Sequence, residues 1–240
     1  MKSKKNNFNY SQFINYLKVN KNISDPIICK FFFRPLSIRI SWVFYKAGIR
    51  ANTISLISVI LAFLASFLII ISSPENIILP VLIMMIISLL DCIDGNVARS
   101  RGENSPSGEW MDALSGYTVY ALLPFSLGIF LSANFPNNFF PGTWIIIGAL
   151  TSISNLYLRL IFQKYLNSKI ENINNEKITS KKSIFTIFSS EVGLVGWMMP
   201  SLFITVMLNA LTFYLLFYCF FYVVSAFIIS IYLIVKLLKN

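Results

Sequence analysis

Long apolar runs constrain this chain more than any other feature of its sequence. Six runs stand out by hydropathy, and each approaches the roughly 20 residues that a helix needs to cross the hydrocarbon of a bilayer. They cover residues 52–72, 77–94, 112–132, 143–163, 188–208 and 212–235. Charged residues are only 12% of the 240 residues, about half the fraction typical of soluble domains. The sequence therefore predicts an all-α polytopic membrane protein with six transmembrane helices.

The basic residues predict the orientation of these helices. Nineteen of the twenty Lys and Arg lie in segments 1–51, 95–111, 164–187 and 236–240, and the loops at the opposite ends of the runs contain none. Cytosolic loops of membrane proteins carry the excess of Lys and Arg. We therefore expect an integral protein of the cell membrane with both termini cytosolic. The Asn- and Lys-rich composition predicts that the loop 164–187 is flexible.

The first 51 residues are predicted to precede a membrane domain that covers 52–240. The net charge of +10 could indicate nucleic-acid binding, but ten of the twenty Lys and Arg fall within the first fifty residues, beside the first apolar run. A basic segment in that position binds anionic lipid headgroups. We therefore expect membrane lipids as its partner, and no nucleic acid. Residues 1–26 are polar and basic and are predicted to form a loosely ordered arm.

A helix is predicted over Pro35–Ala47. Its apolar face consists of Leu36, Ile40, Val43, Phe44 and Ala47. Ser37 and Ser41 lie on the other face, which gives the segment helical periodicity. The pattern predicts a cytosolic amphipathic helix that lies along the membrane interface.

Three aspartates lie where the second and third runs approach each other, in the stretch DCIDGNVARSRGENSPSGEWMDALSG that begins at Asp91. Asp91 and Asp94 are three residues apart, so they share one face of a helix. Asp112 is expected to begin the next helix, and a cytosolic helix hairpin would bring the three carboxylates together. The chain has no His, so an oxygen site for Mg²⁺, Mn²⁺ or Ca²⁺ is predicted rather than a zinc site. Such an ion suits a substrate that contains a diphosphate.

The order of residues in this stretch resembles the pattern of the CDP-alcohol phosphotransferase, or CDP-alcohol phosphatidyltransferase, family, D-x2-D-G-x2-A-R-x8-G-x3-D-x3-D. The matching positions are Asp91, Asp94, Gly95, Ala98, Arg99, Gly108 and Asp112. Upstream, the segments Arg34–Ser37 and Ala51–Ile54 resemble the family's basic N-terminal segment and its P-N-x-I-T sequence, with Ala51 in place of the proline.

The resemblance implies an enzyme that transfers a substituted phosphoryl group from a CDP-alcohol, often CDP-diacylglycerol, to an alcohol acceptor and releases CMP. It also implies two divalent ions, Mg²⁺ or Mn²⁺, and a homodimer. Carried over by position, Asp91, Asp94 and Asp112 would be metal ligands. The residues that would border the cytidine and diphosphate are Gly95, Ala98, Arg99 and Gly108.

One position departs from the pattern, because Gly116 stands where the family has a fourth aspartate, a metal ligand and presumed base. Glu109 lies one helical turn before Asp112 and is a candidate replacement base. A second reading is that the metal alone acidifies the acceptor hydroxyl. A third is a catalytically impaired homologue that binds nucleotide or a partner protein. A transporter is a weaker alternative, since the carboxylates lie at one membrane edge and no inverted repeat is visible.

Other polar residues near the cytosolic ends of the runs have two readings each. Arg159 and Lys164 could bind a phosphate on the acceptor, or Arg159 could extend to the interface as arginines near helix ends commonly do. Glu191 could pair with Arg159 or face headgroups. Cysteines 29, 92 and 219 are too scattered for a metal site with paired spacing, and we expect reduced or buried thiols.

Overall fold

The fold is described from a computed structural model, which describes residues 8–19, 25–103, 105–135, 140–170 and 191–238. In those ranges the regular structure is entirely helical. Most of the predicted loop 164–187, together with residues 188–190 of the fifth apolar run, lies outside the described residues. The all-α fold class is confirmed.

Eight α-helices lie in the described parts of the chain. They are α1 (Tyr10–Val19), α2 (Arg34–Lys46), α3 (Ala51–Ile71), α4 (Ile78–Arg101), α5 (Pro106–Asn134), α6 (Thr143–Ile170), α7 (Met199–Met207) and α8 (Leu211–Leu238). Two π-helical segments, Cys29–Phe33 and Leu194–Met198, run directly into α2 and α7.

Five of these helices, α3, α4, α5, α6 and α8, are long and apolar enough to cross a membrane. This confirms a polytopic membrane protein. The segment Leu194–Met207 is apolar but shorter, about 20 Å at 1.5 Å per residue, against a hydrocarbon thickness of roughly 30 Å. It falls within the predicted run 188–208, so a sixth crossing remains a prediction.

By its contacts the chain divides into two compact units. Unit 1 consists of Met1–Ala65, Ile78–Val119 and Lys182–Ile204, and unit 2 of Ser66–Ile77, Tyr120–Lys181 and Thr205–Asn240.

The core of unit 1 joins α3 to α4, and α2 packs against both. The buried members of this core are Ala51, Ile54, Leu90, Ile93 and Val97. Ile40 and Phe44 of α2 pack onto the same cluster. The predicted amphipathic helix is therefore present, and part of its apolar face packs on the aspartate-bearing helix.

The other face of α2 is buried as well. Ser37 and Ser41 are fully buried, whereas Val43 and Leu36 are exposed. Burying a hydroxyl is favourable only where it finds hydrogen-bond partners, and those partners are described with the site below. The exposed apolar side chains are free to contact lipid.

The prediction of a loosely ordered arm over residues 1–26 is wrong for α1. Asn9 and Gln12 cap the start of this helix reciprocally: the Gln12 backbone N–H donates to Asn9 Oδ1 at 2.9 Å, and the Asn9 backbone N–H donates to Gln12 Oε1 at 3.0 Å. Phe13 is fully buried, with its ring centroid 5.0 Å from that of Tyr45 and 5.3 Å from that of Trp42. The polar composition concealed a capping box followed by a buried aromatic residue.

Unit 2 contains a close crossing of α5 and α6 at two glycines. A Cβ added to Gly128 would lie 2.5 Å from the carbonyl oxygen of Trp144, and one added to Gly148 would lie 2.5 Å from that of Pro124. No side chain fits at these distances, so the two backbones touch directly, as small residues allow in membrane helices.

A tight hairpin joins α7 to α8, as the short gap between the fifth and sixth runs predicted. Asn209 adopts a left-handed conformation with φ of 53°. The backbone N–H of Ala210 donates to the carbonyl of Thr205 at 2.7 Å. Asn tolerates this conformation better than most residues, so its presence just after α7 terminates the helix.

Candidate active site

The helix α4 continues without a break to Arg101, seven residues beyond the end of the predicted run 77–94. Asp91, Asp94 and Ala98 therefore lie on one stripe of a single helix, with Gly95 beside Asp94. The helix ends at Gly102, which has a φ of +65°. There the N–H of Glu103 donates to the carbonyl of Ala98 at 2.9 Å, which is a glycine C-cap.

The helix α5 begins at Pro106, six residues before the predicted start at Asp112. Ser105 caps it, because its Oγ accepts the backbone N–H of Gly108 at 3.2 Å. Ser before Pro is a helix-start signal that the hydropathy criterion missed. Gly108, Asp112 and Gly116 consequently lie on one stripe of α5.

The carboxylates gather around Asp94. Asp94 is buried, Asp91 is half-buried and Asp112 is exposed. The charges of Asp91 and Asp112 both act on Asp94, so the two helix ends bring the three carboxylates into one electrostatic cluster. Within the described residues, neither Asp94 nor Asp112 forms an ion pair with Lys or Arg.

Ser55 holds Asp94 in place. Its hydroxyl donates to Asp94 Oδ2 at 2.7 Å, and both groups are buried. The sequence interpretation missed this residue, although Ser55 falls at the threonine position of the family's P-N-x-I-T segment. A hydroxyl in an apolar run at the membrane edge of the aspartates was the available signal.

The residues present fit a divalent cation by charge and donor type. No three described His, Cys, Asp or Glu side chains lie close enough to hold a metal ion as they stand. The cluster nevertheless offers only oxygen donors, which Mg²⁺ and Mn²⁺ prefer. A buried carboxylate with two neighbouring negative charges is costly without a cation, so a divalent ion would offset this repulsion.

The two glycines of the motif each lie beside polar side chains. A Cβ at Gly95 would meet the Arg99 guanidinium at 3.6 Å, and one at Gly108 would lie 3.4 Å from Ser105 Oγ and 3.6 Å from Asn52 Oδ1. These are ordinary or only slightly tight contacts, so close packing within the protein does not account for either glycine. Glycine at these positions therefore allows close approach to the backbone without being required by the packing.

Arg99 has side-chain N–H donors available for a ligand. Its Nη2 donates to Asn96 Oδ1 at 2.9 Å, which is its one side-chain hydrogen bond to a described residue. A guanidinium has five N–H donors in a planar fork that matches phosphate oxygens. The arrangement can therefore bind an anion.

Arg34 shares the same acceptor. Its Nη1 donates to Asn96 Oδ1 at 3.0 Å, while Nε and Nη2 bind both oxygens of Asp25 at 2.6 and 2.9 Å. Burial lowers the pKa of Arg34, but the hydrogen bond and charge of Asp25 outweigh it and raise the pKa. The sequence interpretation noted Arg34 and overlooked Asn96, which lies between motif positions.

In unit 2, Arg159 lies over the ring of Tyr120, with its guanidinium carbon 3.6 Å from the ring centroid. Its Nε donates to Asn155 Oδ1 at 3.0 Å. Lys164 is exposed. A role for Arg159 and Lys164 toward an acceptor phosphate stays a prediction.

Glu191 and two of the three cysteines take structural positions in unit 1. The carboxylate of Glu191 accepts the backbone N–H of Ile27 at 3.0 and 3.1 Å, where the first helical turn before α2 begins. Cys29 and Cys92 are buried and free, as expected for two of the three thiols, with their Sγ atoms 3.6 Å apart. They are 63 residues apart in sequence, so spacing gave no sign of this contact.

The fold and the site together define an integral membrane protein of helices, with carboxylates and an arginine at the adjoining ends of two of them. The family profile of the CDP-alcohol phosphatidyltransferases matches residues 49–235, and the chain belongs to this family. A search of curated proteins gave no significant match. Membership implies CDP-alcohol phosphotransferase activity in general, with divalent metal ions.

Proposed function

We propose that this protein transfers a phosphatidyl or other substituted phosphoryl group from a CDP-alcohol donor, with CDP-diacylglycerol as the leading candidate, to an alcohol acceptor, and releases CMP. The observation that carries the proposal is the arrangement of the motif. Its carboxylates, both glycines and Arg99 lie on two adjoining helix ends of one compact unit, inside the matched range 49–235.

Asp91, Asp94 and Asp112 are proposed to hold Mg²⁺ or Mn²⁺. A divalent ion bound there would neutralise charge on the diphosphate and favour ionisation of the acceptor hydroxyl. Asp94 is oriented by Ser55, whose hydroxyl donates to one carboxylate oxygen. Asp112 is exposed and so is accessible to ligand.

The nucleotide is proposed to bind beside Gly95 and Ala98 of α4 and Gly108 of α5. The two glycines carry no Cβ and would let cytidine and diphosphate approach the backbone. Arg99 provides N–H donors for phosphate oxygens and Ala98 offers a small apolar contact. These assignments rest on the family pattern.

Glu109 is proposed as the group that takes the proton of the acceptor hydroxyl. It lies in the first turn of α5 and shares a face with Asp112. Gly116 lies two turns further along, about 10 Å down the axis at 1.5 Å per residue. The base would therefore act from the loop side of Asp112 instead of the membrane side. Arg159 and Lys164 are proposed to contact a phosphate on the acceptor.

The remaining proposals concern location. Both termini and the site face the cytosol, because basic residues concentrate in the segments assigned to that side. The cell membrane is the proposed location, and a homodimer is proposed from family membership.

The function is tested by CMP release from protein in lipid, with CDP-diacylglycerol, a pooled set of alcohol acceptors, and either Mg²⁺, Mn²⁺ or a chelator. We expect CMP release that needs metal and is abolished in Asp112→Asn. Glu75→Gln is the matched control, since Glu75 is an exposed carboxylate in the loop between α3 and α4 and should leave release unchanged.

A second candidate is a catalytically impaired homologue, and Gly116 is the observation that favours it. In that case the native protein would release no CMP, while Gly116→Asp would restore metal-dependent release. Loss of release in Glu109→Gln, with nucleotide binding retained, would instead identify Glu109 as the base.

A further inference from the structure

Asn96 is a buried side chain in α4 whose hydrogen-bonding groups are all used. It is 2% exposed. Its Nδ2 donates to Ser37 Oγ and Ser41 Oγ, both at 3.1 Å, and its Oδ1 accepts from Arg34 and Arg99. An amide has two donors and two acceptor lone pairs. The side chain is therefore held in one orientation from four directions.

The partners of Asn96 are themselves fixed. Arg34 is bound by both oxygens of Asp25. Ser37 Oγ donates to the carbonyl of Arg34, and Ser41 Oγ donates to that of Ser37. These bonds tie the start of α2 to α4 and stop the amide from turning. A group with fully bonded neighbours positions a ligand-binding side chain more accurately than a mobile one.

Two guanidinium groups converge on one neutral oxygen in this arrangement. The bonds of 2.9 and 3.0 Å place the donor nitrogens of Arg34 and Arg99 within about 6 Å of each other, a separation at which like charges repel. Asp25 balances Arg34. Among the described residues Arg99 has no ion-pair partner, so a positive charge remains.

Residue 96 is an amide and not a carboxylate, and for this reason it leaves the positive charge of Arg99 in place. Aspartate has the same shape and could accept from both arginines, and its charge would cancel that of Arg99. Asparagine holds the guanidinium and leaves its charge and its other N–H groups for an anion.

We propose that Asn96, fixed by Arg34 and the two α2 serines, is a positioning residue that holds the Arg99 guanidinium for the diphosphate of the nucleotide without neutralising it. The inference rests on the proposed function, in which Arg99 contacts the diphosphate. Its further content is that residues of the N-terminal segment, far from the motif in sequence, control how tightly the donor binds.

The test measures the affinity of purified protein for CDP and CMP in the presence of Mg²⁺, together with the midpoint of thermal unfolding. The key variant is Asn96→Asp, which keeps the shape and can accept from both serines if their hydroxyls rotate. We expect the dissociation constant for CDP to rise about tenfold or more, the effect of weakening a hydrogen bond between charged groups. The CDP-over-CMP preference should shrink, and the unfolding midpoint should stay the same or rise.

A lower affinity for CDP with an unchanged or higher unfolding midpoint distinguishes a positioning role of Asn96 from a structural role. A structural role alone would let Asn96→Asp bind CDP as well as the native protein, and that result would overturn the inference. Asn96→Ala should weaken CDP binding in native protein but have no further effect in an Arg99→Ala background. Independent, multiplicative effects of the two changes would also overturn it.

The two proposals fail differently. If native protein binds no CDP, or Arg99→Ala binds it normally, the donor-site assignment of Arg99 fails and the inference fails with it. If Arg99→Ala weakens CDP binding while both Asn96 variants bind normally, only the positioning role is lost. Ser58→Ala is the control, since Ser58 is a buried serine of α3 whose hydroxyl donates to the Ile54 carbonyl of its own helix.

Discussion

Removing the Ser55 hydroxyl should weaken metal binding more than it weakens the fold. The Ser55→Ala change leaves Asp94 Oδ2 without its 2.7 Å donor, at a buried position where water is not a ready substitute. Hydrogen bonds to charged groups contribute about 1.5–3 kcal/mol. Removing the hydrogen-bond partner of a metal ligand typically lowers metal affinity by about 10–100-fold, which agrees with that energy.

The assay is a titration of CMP release with Mn²⁺ or Mg²⁺, and its readout is the half-activating metal concentration. We expect this concentration to rise at least about tenfold in Ser55→Ala. Ser55→Thr retains the hydroxyl and should remain near the native value. If the native protein proves inactive, the same titration can follow the metal-induced rise of the unfolding midpoint, which reports metal affinity without requiring turnover.

Ser58→Ala is the matched control for this prediction. Ser58 is buried one turn further along α3, and its hydroxyl donates to the carbonyl of Ile54 at 3.2 Å. Its loss should leave the metal dependence unchanged. The reasoning is refuted if Ser55→Ala has a native half-activating concentration, or if both alanine variants shift it equally.

Three further predictions test the fold. Gly128→Ala should destabilise unit 2 by about 1–3 kcal/mol, because the added Cβ would lie 2.5 Å from a backbone atom. Thermal unfolding measures this change, and Ile146→Ala at an exposed position is the control. Phe13→Ala should detach α1 from α2, since a fully buried Phe side chain is lost. Protease cleavage within residues 10–19 should then accelerate. Unchanged cleavage would show that the Phe13 ring does not hold the helix. Treatment with the thiol oxidant diamide should join Cys29 to Cys92, whose sulfurs are 3.6 Å apart, with a mass loss of two hydrogens. The same mass loss in Cys92→Ser, or no mass loss in the native protein, would contradict the contact.

Helix boundaries show where sequence reasoning succeeded. The predicted run 52–72 corresponds to α3 at Ala51–Ile71, because α3 is predominantly apolar and has the length of a membrane-spanning helix. The same criterion placed the end of α4 and the start of α5 wrongly. The last turns of α4 and the first turns of α5 are polar, so hydropathy does not detect them. The glycine cap at Gly102 ends α4, and Ser105 before Pro106 begins α5.

The candidate site divides in the same way. The sequence alone determined the class of protein, the identity of the metal-binding candidates and the spacing that places Asp91 and Asp94 on one face, because each follows from local pattern. The tertiary structure alone decided what surrounds them. Ser55 bonds Asp94 across 39 residues and Arg34 bonds Asn96 across 62. Buried polar groups take partners wherever folding brings them, so no local periodicity predicts which hydroxyl or guanidinium will meet which carboxylate or amide.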